Sequence, residues 1–152
     1  GSRIAAIEED GPRLRILAEQ TFMTRKGPVV GRTETRWAGV GFGIASMEFL
    51  DYRIRNVQAI TPIDAVYSDY RVTIYLDLPP GIEMPARAAQ LPDRFQRAIV
   101  AHLDSQTDDL PIWESMQYRA RPLLVPEERD AQQRIRKWAR QFYRSSSAEE
   151  TA

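Results

Sequence analysis

Along the first half of the chain apolar and polar residues alternate singly, the period of strands with one buried face. Leu14, Ile16, Ala18 and Phe22 point one way, against Arg13, Arg15, Glu19 and Thr21. The pattern predicts strands over 3–8 and 13–24, joined at Glu9-Asp10-Gly11-Pro12, because Asp-Gly between two such runs is a hairpin signal. After a turn around Lys26-Gly27-Pro28, a strand from Val30 to Ala38 puts Thr33, Thr35 and Trp37 on one side. Strands over 44–51 and 54–61 follow, then a corner at Pro62-Ile63-Asp64. A strand from Tyr70 to Leu78 alternates most cleanly, with Tyr70, Val72, Ile74 and Leu76 against Arg71, Thr73, Tyr75 and Asp77. Gly39-Val40-Gly41-Phe42-Gly43 interrupts this run. A nucleotide-binding glycine loop needs a helix directly after it to present amides to phosphate, whereas Ile44 to Leu50 is strand-like. The glycines therefore mark a tight bend, or a place where backbone passes close to a ligand.

Beyond Pro79-Pro80-Gly81 and Pro85 the period lengthens to that of a helix, which starts near Pro92. At about 100° per residue, Phe95, Ile99, His102, Leu103, Gln106, Asp109, Leu110 and Trp113 share one face. Asp109 is thereby turned inward, while Asp108 falls with Asp104 on the solvated side. A carboxylate on a buried face costs several kcal/mol, of order 3–5, unless it is paired, hydrogen-bonded or bound to a metal. From the residues alone, the plainer partner is an arginine or a backbone N–H. Pro111 removes a backbone donor and is expected to kink the helix beside that carboxylate. Ser115 to Val125 reads as a linker, and a second helix runs from about Pro126 to Tyr143 with Ala131, Ile135, Trp138 and Phe142 on one face. Residues 145–152 are polar and acidic and are expected to be disordered.

A run of strands and then a long helix implies an α+β fold, one antiparallel sheet of about 5–6 strands covered by the helix. An apolar cavity between the two would be lined by Trp37, Phe42, Met47, Phe49, Ile112 and Trp113. Aromatic and Met side chains at such spacings are also ordinary core residues.

Composition narrows the function. The 152 residues suffice for one domain, and 43% hydrophobic with 28% charged is ordinary globular usage. Lys+Arg and Asp+Glu are both 21, so no net basic field draws nucleic acid or an anionic membrane. Cysteine is absent, which removes disulfides, thiolate metal sites and a cysteine nucleophile. With one histidine, a serine hydrolase has no constellation to build on. That residue, His102, lies about 10.5 Å along the helix from Asp109, too far to share one metal ion, and reads as a core or pocket-lining side chain. No apolar run of about 18 residues occurs. Gly1-Ser2 reads as a cloning remnant.

The ordered series Asp109-Leu110-Pro111-Ile112-Trp113-Glu114, Tyr118, Pro122-Leu123-Leu124, Glu127-Glu128 and Arg136-Lys137-Trp138-Ala139-Arg140-Gln141-Phe142-Tyr143 resembles the C-terminal end of Rieske-type non-haem iron oxygenases. It lies nearest the branch of the 3-ketosteroid 9α-hydroxylase oxygenase component. The Thr61-Pro62-Ile63-Asp64 turn and the strands around it fit the same catalytic domain. The resemblance implies a helix-grip (START/Bet v 1-like) fold over 3–144. It implies a mononuclear Fe(II) held by two histidines and an aspartate, with Asp109 at the aspartate and the histidine pair upstream of Arg3. It also implies a Rieske [2Fe-2S] cluster, which needs two cysteines and two histidines and so belongs outside these residues. A bulky hydrophobic ring or steroid substrate, O2, a reductase or ferredoxin, a homotrimer and a cytoplasmic setting complete the expectation, with the fragment alone inactive. The competing expectation is a stand-alone helix-grip module that binds a hydrophobic ligand without catalysis.

Overall fold

Single alternation becomes six strands: β1 (Ser2–Asp10), β2 (Arg13–Thr24), β3 (Gly27–Ala38), β4 (Phe42–Phe49), β5 (Tyr52–Pro62) and β6 (Ser68–Asp77). Two helices follow, α1 (Asp93–Ser115) and α2 (Pro126–Ala139), the second continued by a 3-10 turn over Arg140–Phe142. The computed structural model describes residues 2–24, 27–49, 52–64, 66–83, 85–117, 119 and 121–143. The side chains of Phe22 and Phe49, together with Lys26, Tyr118 and the acidic segment 145–152, lie outside that description. The fold is α+β and helix-grip-like, one antiparallel sheet with a long and a shorter helix. Two compact units divide it, one made of Gly1–Asp77 with Leu124–Ala152, the other of Leu78–Leu123.

In the first unit each strand pairs with the next, in the order β1 to β6. The register is continuous enough to trace rows across it. Leu14 lies opposite Trp37, Trp37 opposite Gly43, Gly43 opposite Gln58, and Gln58 opposite Val72. The next row on that face is Ile16, Thr35, Ala45, Asn56 and Ile74, and the next Ala18, Thr33, Met47, Ile54 and Leu76. Leu14, Ile54 and Asn56 in these rows are buried. Gly43 and Ala45 leave room at the centre of this face beside Trp37.

Two positions explain the glycines between β3 and β4. Gly39 has a φ of 69° and donates its N–H to the Pro12 carbonyl at 2.8 Å, which joins this bend to the β1–β2 turn. A Cβ on Gly43 would lie 2.7 Å from the Trp37 ring, so the indole rests flat on backbone where any other residue would lift it.

The opposite face is ionic. Arg15 and Arg36 stand directly across from one another, a repulsive pairing, and both donate to one oxygen of Glu34, at 2.6 and 2.7 Å. The hydrogen bonds from Arg36 and Arg15 hold the Glu34 carboxyl below its ordinary pKa. Arg53 with Glu48 and Arg55 with Asp77 extend the lattice. Exposed pairs of this kind contribute about 0–1 kcal/mol each; their larger effect is to keep this face wet and the register unambiguous.

α2 closes the first unit against the β1–β2 hairpin. Trp138, the buried residue of its apolar stripe, donates its indole N–H to the Gly11 carbonyl at 3.1 Å, and Gln141 donates to the same oxygen at 3.0 Å. Arg134 reaches Glu9 at 3.1 Å and the Ile7 carbonyl at 3.0 Å. Glu9 lies opposite Leu14, so α2 sits on the apolar side. Ala131, Ile135 and Phe142 are half-buried around Trp138, on the face the spacing predicts.

In the second unit Phe95 and Leu91 are buried at the start of α1. Gln96 donates its amide N–H back to the Leu91 carbonyl at 2.7 Å, which ties the first turn of α1 to the segment before it. No helix among the described residues is long and apolar enough to cross a membrane.

Two outcomes test this account. Gly43→Ala is expected to cost about 1–3 kcal/mol in urea unfolding, because the new methyl must displace an indole seated in a packed face; a loss below about 0.5 kcal/mol would show the ring to be free to move. Asp64 shapes the β5–β6 turn by accepting the N–H groups of Val66 and Tyr67, each at 2.7 Å, and those bonds lower its pKa from 3.8. A depressed carboxylate stabilises the fold above its unfolded pKa and stops doing so as pH falls through the folded one. Asp64→Ala is therefore expected to lower the urea midpoint at pH 7, and by progressively less as pH drops below 3.8.

Candidate metal and ligand site

Phase along α1 decides which of its acidic side chains is sheltered. Asp93, Asp104, Asp108 and Glu114 are exposed, and Asp109 is half-buried. Its companions are Phe95, Ile99, His102 and Gln106, a line at three- and four-residue spacing. The line differs in one respect from the apolar stripe expected of the sequence. Leu103, Leu110 and Trp113 are 47%, 40% and 42% exposed. The sheltered line leans toward His102 and Asp109, which leaves Leu103 and Leu110 on the open flank and Trp113 in the last turn. From His102 onward it is polar: histidine, amide, carboxylate.

Asp109 accepts no hydrogen bond and joins no ion pair among the described residues. Asp108 is exposed, as helix phase requires. Pro111 lies inside α1, and the helix runs on through it to Ser115, so the proline does not end the helix. Its missing N–H deprives the Thr107 carbonyl, four residues back, of the usual partner, while the Thr107 hydroxyl bonds the Leu103 carbonyl at 3.0 Å. Ile112 and Trp113 follow Asp109 at the third and fourth positions, so both flank it on the helix surface. Burial lowers the pKa of His102 and keeps its ring neutral at pH 7. Seven residues separate it from Asp109, a rise of about 10.5 Å. Among the described residues no three His, Cys, Asp or Glu side chains come close enough to hold a metal ion by themselves.

Of the sheet residues expected to line a cavity, Trp37 and Met47 share the apolar face and Phe42 does not. Phe42 lies opposite Ala59 on the ionic side and is 45% exposed. The one-residue offset between Phe42 and Gly43 decides this, because every step along a strand changes face. Sequence reasoning placed Thr33 beside Trp37 but passed over Asn56 among the polar members of the apolar face. Asn56 is 5% exposed, and the hydroxyl of Thr33 is buried with no hydrogen-bond partner among the described residues. An unpaired buried hydroxyl costs about 1–3 kcal/mol. The signal was present: Asn56 and Gln58 sit at inward positions of a strand whose outward positions carry Arg53 and Arg55. On the opposite face a groove of about 610 Å³ is lined by Arg15, Glu34, Arg36, Arg53 and Arg55 among others, too ionic to take an apolar ring.

No curated protein and no solved structure matches the chain. The model of a family described as the 3-ketosteroid 9alpha-hydroxylase C-terminal domain matches residues 6–143, a span that takes in the body of the sheet, both helices and Asp109. The chain therefore belongs to the 3-ketosteroid 9alpha-hydroxylase C-terminal domain family, as part of an oxidoreductase, an oxygenase.

Proposed function

We propose that residues 3–144 are the C-terminal part of the catalytic domain of a Rieske-type non-haem iron oxygenase, in which Asp109 is the single carboxylate ligand of a mononuclear Fe(II). Two histidines from outside these residues complete the ligand set, and a Rieske [2Fe-2S] cluster, fed by a reductase or ferredoxin, supplies electrons. The intact protein works as a cytoplasmic homotrimer on a steroid or similar bulky ring. The observation that carries this reading is Asp109 itself: a half-buried carboxylate on a polar helix line, without a hydrogen bond or ion pair among the described residues. A charge so placed calls for a cation, and a carboxylate with two neutral imidazoles leaves open positions on iron. Among the described residues the donor set fits as one ligand of three.

Iron bound there would activate O2 for insertion into a C–H bond of the substrate. The chain's own residues bind and orient. Asp109 contributes the negative charge that offsets the dication. Trp37, flat on Gly43 and beside the small side chains Thr35 and Ala45, offers a broad apolar floor for a fused-ring molecule. Thr33 and Asn56 place sparse polar atoms on that floor, the pattern by which apolar pockets orient a ligand. On α1, Ile112 and Trp113 expose apolar surface beside Asp109.

In the intact protein Asp109→Ala is expected to remove iron, measured per protomer by inductively coupled plasma mass spectrometry, and with it steroid hydroxylation. Asp108→Ala, on the exposed side, is expected to leave iron content unchanged and stability within about 0.5 kcal/mol. Iron retained by the first variant and lost by the second would overturn the ligand assignment. The chain as it stands is expected to lose all iron on dialysis, since one ligand of three cannot hold it. Steroid binding without any metal in the intact protein would favour a plain ligand-binding module instead.

A further inference from the structure

We infer that the ionic face of the sheet is a docking groove for an acidic segment of another protein, whose carboxylates seat among Arg32, Arg36, Arg53 and Arg55. The register sets these four around one residue. On β4, Ser46 has Glu34 opposite it on β3 and Arg55 opposite it on β5, with Arg32, Arg36 and Arg53 at the diagonals. Ser46 is half-buried, and its hydroxyl has no hydrogen-bond partner among the described residues. The groove of about 610 Å³ that it lines is walled by five arginines, these four and Arg15, against three glutamates, Glu19, Glu34 and Glu48.

The carboxylates leave one arginine over. Arg32 stands in register between Glu19 and Glu48, yet Glu19 turns to Arg3 and Glu48 to Arg53. Arg32 is exposed and has neither a hydrogen bond nor an ion pair among the described residues. Glu34 gives one oxygen to both Arg15 and Arg36, while Glu8 and Asp77, beyond the groove, take Arg15 and Arg55. A guanidinium carries about five N–H donors, and these contacts occupy only a part of them. They hold the arginines in place, so an incoming carboxylate meets donors that have little side-chain freedom left to lose.

Spacing and lining decide the occupant. Arg32 and Arg36 lie four residues apart on β3, about 13 Å, and β5 is two ladders away, about 10 Å. A single phosphate is too small to meet donors set so far apart, whereas carboxylates repeated along one chain reach them. Between the charges the groove presents Leu17 and Ile44. Beside it Tyr75, 49% exposed, has the Arg55 guanidinium over its ring at 5.8 Å. Arginine and aromatic side chains are the ones that protein contact surfaces favour.

The test measures, by fluorescence polarisation, binding of a dye-labelled synthetic peptide that alternates glutamate with valine to the intact protein. Binding is expected, and it should weaken about tenfold between about 0.05 and 0.5 M salt as the screening length shortens. Arg32→Ala breaks no contact among the described residues and is expected to weaken binding about fivefold or more. Arg32→Glu is expected to abolish it, and Arg97→Ala, on the exposed surface of α1, to leave it unchanged. Circular dichroism confirms that each variant is folded. Undiminished binding by Arg32→Glu would overturn the inference, as would equal binding of a peptide that alternates lysine with valine. Displacement of the acidic peptide by inorganic phosphate at equal concentration would overturn it in favour of a site for small anions. Self-association of the intact protein that Arg32→Glu abolishes would give the groove to a second copy and overturn it too.

Discussion

The constraint on which the rest depends is that a strand changes face at every residue, and that the four antiparallel ladders from β2 to β6 keep an unbroken register, while the β1–β2 ladder shifts once between Ile4 and Ala6. A slip of one position would bring the arginines to the apolar side and turn Trp37 to water. Several features act together to forbid it. Glu34 clasps Arg15 and Arg36 on one face. On the other, Trp37 occupies the one place in the adjoining strand where there is no Cβ. The turn at Asp64 sets where β6 begins relative to β5. The hydrophobic effect supplies most of the stabilisation, and these polar and steric details select which pairing receives it.

α1 follows a different logic. A sheltered face that turns from Phe95 to His102, Gln106 and Asp109 is poor as packing, and the proposed function gives it a use as a site. Each polar member gives up some of its hydration, so the second half of the helix is less stable in itself than an all-leucine version would be. Proteins accept such losses where chemistry requires them. The sheltered line and the proline after it share one short segment, and Pro111 leaves a carbonyl of the preceding turn without a helical partner.

Much of this was legible in the sequence, for identifiable reasons. Single alternation marked all six strands, and Asp-Gly marked the first turn. Helix phase separated Asp108 from Asp109, and the series from Asp109 to Tyr143 marked the family. What was not legible concerns side chains that break a local rule. Phe42 was grouped with Trp37 because aromatic character is read more readily than parity, and its parity puts it on the ionic face. Leu103 and Leu110 were assigned to a sheltered stripe that in fact favours polar neighbours. Asn56 drew no notice because its amide interrupts the apolar alternation of β5, although its inward position between outward Arg53 and Arg55 and outward Val57 was there to read. The purpose of the paired glycines at 41 and 43 likewise depends on what lies across the ladder.

The hydrogen bonds from Trp138 and Gln141 to the Gly11 carbonyl join positions more than 120 residues apart. In a chain made from its N-terminus, the first hairpin emerges with its apolar side uncovered and waits for the last helix to be synthesised. Bringing such distant segments together costs loop entropy that grows only as the logarithm of the separation, so the closed state suffers little, but folding is slowed by the long search. During that interval Leu14 and its neighbours are open to other chains, and the time a ribosome takes to pass from residue 11 to residue 138 sets how long this protein is vulnerable to misassembly.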